Sequence, residues 1–184
     1  MYYQDDKKAF ACVNLILDTL EDLDVENASI FTLQKLLYFA FGFHLRIYEE
    51  QLFDEKIQAW QNGIVVPSVY RAFKNCGTMP INLQCQRARI VKDFDGNIIT
   101  PDLIHLDNLE NLENIQKSLT IACIAYHNKD VWNLFNKTHR GKTSAWYKAY
   151  NRLNNKTLDN NDIIEEFRPY LRKLHKQAKR EGWF

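Results

Sequence analysis

Leu33-Gln34-Lys35-Leu36-Leu37-Tyr38-Phe39-Ala40-Phe41-Gly42-Phe43-His44-Leu45-Arg46-Ile47 is the stretch on which the fold turns. Its apolar residues cover most of a helical circumference rather than one stripe. A helix apolar all round must be surrounded by other elements, so it is expected at the centre of a domain. Thr32 is the expected N-cap, and the helix should run to about Glu49. Gly42 costs about 1 kcal/mol against Ala inside a helix, so it is expected where another element approaches closely. Gln34, Lys35, His44 and Arg46 interrupt the run, which is too short and too charged to span a bilayer.

Outward from this helix, the chain is mostly helical by periodicity. Asp6 to Leu23 carries Ala9, Phe10, Val13, Ile16, Leu17 and Leu20 at three- and four-residue spacing. Residues 52–66 are less periodic, with a turn expected at Asn62-Gly63. Pro67 suits the first position of a helix over Ser68 to Asn75, with Gly77 just past its end. Ala88–Lys92 and Asn97–Thr100 flank Asp93-Phe94-Asp95-Gly96, and these predict the one hairpin. Helices follow over Asp107–His127, Asp130–His139 and Ser144–Arg152. A last helical region is capped by Asp159 or Asn161, with a kink or restart expected at Pro169. The fold class is therefore mostly α: a single helical domain, 1–184, around one apolar helix, with a small β-hairpin and a basic C-terminal helix over 170–184.

The 184 residues suffice for one ordinary domain that needs no disulfide or structural metal to fold. The formal net charge is +1, so no global field draws the chain to nucleic acid or an anionic membrane. The N-terminal residues show no apolar signal region, and the chain reads as cytoplasmic. Cys12, Cys76, Cys85 and Cys123 form no C-x-x-C pair and read as reduced thiols. His44, His105, His127, His139 and His175 show no metal-ligand spacing. There is no P-loop, no G-x-S-x-G and no Cys-His signature, so neither a catalytic residue nor a cofactor is assigned. The sequence carries no signal for an oligomeric state.

Three further blocks give the chain a resemblance. Leu33–His44 is followed by Leu52-Phe53-Asp54-Glu55. Then comes Ala59-Trp60-Gln61-Asn62-Gly63-Ile64-Val65-Val66-Pro67-Ser68-Val69-Tyr70, and later Thr138-His139 before Ala145-Trp146. In order and spacing, over about residues 5–170, these resemble the Panacea domain, the family of SocA-like and GepA-like phage-associated proteins. Ile64 and Ala145 stand where that family usually has Pro. The resemblance implies a bacterial or prophage antitoxin that neutralises a neighbouring toxin by direct binding. One branch of the family acts instead as an adaptor delivering its toxin to a AAA+ protease. A prophage regulator binding DNA through the basic C-terminal helix is a third reading, although nucleic acid is a weak expectation on a near-neutral chain.

Candidate partner-binding residues follow from interface chemistry. Trp60, Pro67, Tyr70 and Arg71 cluster at the Gly63 loop, and Trp, Tyr and Arg anchor interfaces because they bury large area at low entropic cost. Lys35 and Tyr38 are polar-tipped members of the central helix, and Lys35 is expected to bond a carbonyl near Gly63. His139 and Trp146 belong to the later block. Arg168–Arg180 holds six Lys or Arg and no acid, and Arg172, Lys173 and Lys176 are its candidate contacts for an acidic partner surface.

Overall fold

The apolar stretch folds as a helix, Ile30–Tyr48. In a computed structural model that describes residues 7–26, 28–81, 91–92, 98–99, 109–127, 133, 136, 141–153 and 156–181, it is the second helix, α2. Its cap is Ser29 rather than Thr32: Ser29 Oγ accepts the Thr32 N–H at 3.3 Å, so Thr32 lies in the first turn. Every residue from Thr32 to Leu45 is buried. Such burial on all faces requires neighbours on all sides, and α2 has them. They are α1 (Lys7–Asp22), α3 (Pro67–Phe73), α4 (Leu109–Tyr126) and α6 (Asn160–Glu181), with a short α5 (Ala145–Tyr150) packed on α6. The architecture is mostly α, as the periodicity predicts.

An aromatic cluster joins three of these helices. Phe39 of α2 stacks on Tyr126 of α4 with centroids 4.1 Å apart. Phe167 of α6 meets Phe43 edge-on at 5.3 Å and Tyr38 at 5.4 Å. Such edge-to-face geometry is favoured by the ring quadrupoles. Gly42 is what lets Phe167 in: a Cβ there would fall against the Phe167 ring, far inside van der Waals contact. On the α4 side, buried His44 Nδ1 lies 3.1 Å from Ser118 Oγ.

The chain between α2 and α3 holds a hairpin absent from the sequence expectation. Strands β1 (Gln58–Trp60) and β2 (Gly63–Val65) pair antiparallel with Trp60 opposite Gly63, Ala59 opposite Ile64 and Gln58 opposite Val65. The turn residues are Gln61 and Asn62, one position earlier than expected, and Gly63 takes φ 130°, a left-handed value that suits glycine. Three-residue strands give too few alternations to show a period of two. They persist because β1 is also held on its other side. Ala59 N–H donates to Lys156 O at 2.7 Å, and Leu158 N–H to Ile57 O at 2.9 Å. The predicted hairpin is present too, as β3 (Val91–Lys92) paired with β4 (Ile98–Ile99).

Two other expectations are corrected. Pro169 does not restart the last helix, which runs unbroken from Asn160 to Glu181. Pro169 and Glu165 are both exposed, so the hydrogen bond that Pro169 cannot make is lost on the solvent side of the helix. Asp159 is the cap, accepting the Asn161 N–H at 2.9 Å. The cysteines also differ: Cys12 and Cys123 are buried free thiols, but Cys76 is disulfide-bonded. The expected helix over 130–139 lies outside the described residues, apart from Asn133 and Asn136, which are helical. No helix among the described residues is long and apolar enough to cross a membrane.

Gly42→Ala is expected to lower stability by roughly 1–3 kcal/mol through overpacking, outweighing the about 1 kcal/mol that Ala gains in helix propensity. Urea unfolding checks this. In a Phe167→Leu background the same change should cost clearly less; an equal cost in both backgrounds would place the clash elsewhere.

Candidate functional site

The loop after β2 is fastened to α2 by one side chain. Gln34 Oε1 accepts the Val66 N–H at 2.8 Å, and Gln34 Nε2 donates to Val66 O at 3.4 Å. A carboxamide presents an acceptor and a donor side by side, so it can satisfy both backbone groups of one residue. Sequence reasoning gave a neighbouring role to Lys35; Gln34 performs it, and on Val66 rather than near Gly63. The start of α3 is held in a similar way. Glu55 Oε1 accepts the Ser68 N–H at 2.9 Å, and Glu55 Oε2 accepts the Ser68 hydroxyl proton. This gives the Leu52-Phe53-Asp54-Glu55 block its physical content: Leu52 and Phe53 are buried, Phe41 packs on Phe53 at 5.0 Å, and Glu55 ties down the next helix.

These fastenings bring three of the sequence-predicted residues to one cavity. Lys35, Trp60 and Tyr70 line a hollow of about 260 Å³, with Ile30, Phe31 and Ile64 among its other walls. Trp60 and Tyr70 meet edge-on at 5.1 Å, and Trp60 Nε1–H donates to Gln58 Oε1 at 2.9 Å. Trp146 joins from α5: its Nε1–H donates to Trp60 O at 3.0 Å, and its ring stacks on Tyr150 at 4.8 Å. Arg71 is exposed one residue beyond Tyr70. Pro67 is buried at the first position of α3 and Tyr38 is wholly buried, so both belong to the frame of the site and not to its accessible face. His139 lies outside the described residues. Arg172 and Lys173 are exposed on α6; Lys176 lies on the same helix, and its side chain is outside the described residues.

Close enough to Lys35 to interact with its charge is a half-buried ionisable group that sequence reasoning missed. Glu166 Oε2 accepts the Tyr38 hydroxyl at 3.1 Å and the Ala145 N–H at 2.8 Å. Burial raises its carboxyl from 4.5 to about 7, opposed by those two hydrogen bonds and by the charges of Lys35 and Lys148. Lys35 is pushed the other way. Burial lowers it from 10.5 to about 7, and the Glu166 charge partly restores it. Tyr38 is held well above its usual value, first by burial and then by Glu166. No local pattern announces Glu166. It sits on an amphipathic helix next to Phe167, and only the packing of that helix turns it inward. Glu166 also lines a second cavity of about 540 Å³ with Lys148 and Lys173.

The signs of these shifts set a pH dependence. Between about 4.5 and 7 the folded chain holds a Glu166 proton that the unfolded chain releases, so this group's contribution to stability falls as pH rises. Between about 7 and 10.5 the unfolded chain holds a Lys35 proton that the folded chain resists, so stability recovers as pH rises. Urea midpoints measured across pH 5–9 should therefore dip near neutrality. Glu166→Gln should flatten the acid side of that dip, and an unchanged profile would show that Glu166 is not the group responsible.

The family described as "Antitoxin SocA-like, Panacea domain" matches residues 33–158. Among curated proteins, the chain is 42% identical over 69 residues to "Antitoxin SocA" of Caulobacter vibrioides (strain NA1000 / CB15N). That match covers 38% of this chain and 36% of the relative, so the chain spans little more than a third of the relative's length. No solved structure matches it.

Proposed function

The chain belongs to the antitoxin SocA-like Panacea family, and from that premise we propose a non-enzymatic antitoxin that neutralises a cognate protein toxin by binding it. The family match carries the reading, because residues 33–158 span α2, the β1–β2 hairpin and α3, the elements that build the Lys35–Trp60–Tyr70 cavity. The geometry supports it: a hollow with two aromatic walls, framed by rigid helices and bordered by an exposed Arg71, is the surface type on which binding energy concentrates. Neutralisation then follows by occlusion, with the toxin's active surface covered by this face. Arg172, Lys173 and Lys176 act at longer range. A basic stripe without aromatic anchors mainly steers association.

The test uses the purified antitoxin and the product of an adjacent gene that is toxic when expressed alone. Neutralisation is expected to occur in a mixture without protease. Toxin that stays fully active beside excess antitoxin, yet disappears in cells only when a AAA+ protease is present, would replace occlusion by delivery. Within the same system, Arg71→Ala should weaken binding by roughly 2 kcal/mol with little change in melting temperature. The pair Lys173→Glu and Lys176→Glu should slow association and reduce its salt dependence. Wild-type affinity for Arg71→Ala, together with no binding by the lysine pair at any salt concentration, would move the interface to α6.

A further inference from the structure

Between α5 and α6 the fold holds one apolar side chain out to solvent. Leu153 is 97% exposed. A single exposed leucine is ordinary on a protein surface and signals nothing by itself. Leu153 differs in how it is held. It stands midway between Tyr150 and Lys156, and Lys156 returns to Tyr150 in two ways: its Nζ donates to Tyr150 O and lies 4.5 Å from the centre of the Tyr150 ring. Next to Leu153, Arg152 Nη2 donates to Asp162 Oδ2 at 2.9 Å, and Asn151 Nδ2 donates to Tyr147 O at 2.8 Å. The chain on both sides of Leu153 is thus fastened to α5 and α6. A side chain presented on such an anchored loop loses little further freedom on binding, so more of its burial energy appears as affinity.

The loop closes on the aromatic surface described above. The Tyr150 ring stacks on Trp146, Trp146 bonds Trp60 O, and Trp60 meets Tyr70 edge-on. All four rings are half-buried, so they form a row of partly open apolar surface from α3 across the hairpin to α5. Charge borders that row with one sign. Residues 58–76 and 141–157, which supply it, hold Arg71, Lys74, Lys142, Lys148, Arg152 and Lys156 and no acid, in a chain whose formal net charge is only +1. Asp162 offsets part of this charge through Lys148 and Arg152. An apolar row with a basic border complements an acidic surface with an apolar centre. Single-stranded nucleic acid is acidic too, but it needs open ring faces on which bases can stack. Here Trp146 and Lys156 both lie against the Tyr150 ring, and Leu153 offers no face for stacking, so the row fits a protein surface better.

We propose that Leu153 is an apolar anchor that enters a socket on an acidic face of the toxin, with the Trp60–Tyr70 and Trp146–Tyr150 pairs packed beside it. This deepens the toxin-binding reading and rests on it. It extends the interface from the α3 end of the aromatic row to the loop between α5 and α6, and it fixes the chemistry of the partner as acidic around an apolar centre.

The experiment titrates the purified toxin, the product of an adjacent gene that is toxic when expressed alone, with the wild-type chain and three variants. Leu153→Ser should weaken binding roughly tenfold or more, with an unchanged melting temperature because the side chain is exposed. Leu153→Met should bind nearly as wild type. Leu153→Lys separates the two parts of the proposal: it adds a cation facing an acidic partner, yet it should weaken binding about as much as Leu153→Ser, because a socket accepts only an apolar group. Raised salt should slow association of the wild type and of Leu153→Ser alike. Wild-type affinity for Leu153→Ser would overturn the anchor and leave toxin binding intact, and tighter binding by Leu153→Lys would reduce this surface to charge alone. Displacement of the toxin by an oligothymidylate would assign the row to nucleic acid. A dimer seen by sedimentation in the wild type and lost in Leu153→Ser would assign it to a second copy of the chain. Either result also overturns the proposal. Absence of any toxin binding by the wild type would remove the antitoxin reading, and the anchor with it.

Discussion

The seating of Phe167 on the bare backbone of Gly42 is the contact on which the rest of the molecule depends. A helix this apolar gains stability only when all its faces are covered, and α6 can cover this face only if its largest side chain finds room. Glycine provides that room at a helix-propensity cost that burial of a phenylalanine ring, about 1.5–3 kcal/mol, offsets. Once Phe167 is seated, the residue before it has no freedom. Glu166 is carried to Tyr38, to the Ala145 N–H at the start of α5, and to the neighbourhood of Lys35.

A half-buried carboxyl and a buried ammonium, both displaced toward neutrality, each line a cavity, Lys35 the one beside the hairpin and Glu166 the one beside α5. Perturbed ionisable groups beside cavities often mark chemistry. Here their partners are structural: a tyrosine hydroxyl and a helix-end amide, joining the first part of the chain to the last. The network fastens the first part of the chain to the last through polar contacts set against an apolar core.

The same economy recurs at the hairpin. Gln34 stands in for a neighbouring strand at Val66, and Glu55 for a helix cap at Ser68. Both substitute a side chain for backbone pairing where the chain is too irregular to pair with itself. Together with Trp146, which bonds Trp60 O from α5, they hold the loop that carries the aromatic walls of the cavity, and of the three only Gln34 also lines it.

Helix positions, the central place of α2, and the special role of Gly42 were legible in the sequence because a period of 3.6 over fifteen or more residues is a strong local signal. The nearness of Trp60, Tyr70 and Lys35 was also foreseeable, from residue type and the order of the blocks. The β1–β2 pair was not, because three-residue strands carry no readable alternation. Nor was the continuity of α6 through Pro169, since the cost of a missing hydrogen bond depends on whether the freed carbonyl reaches water. Tyr38 and Glu166 show the limit most clearly. Tyr38 looks like one more aromatic on an apolar helix and Glu166 like an ordinary acid on an amphipathic one, and they are separated by 128 positions in the chain. Only the rotation of α6 about its axis, set by where Phe167 seats, turned that carboxyl inward and made the two residues neighbours.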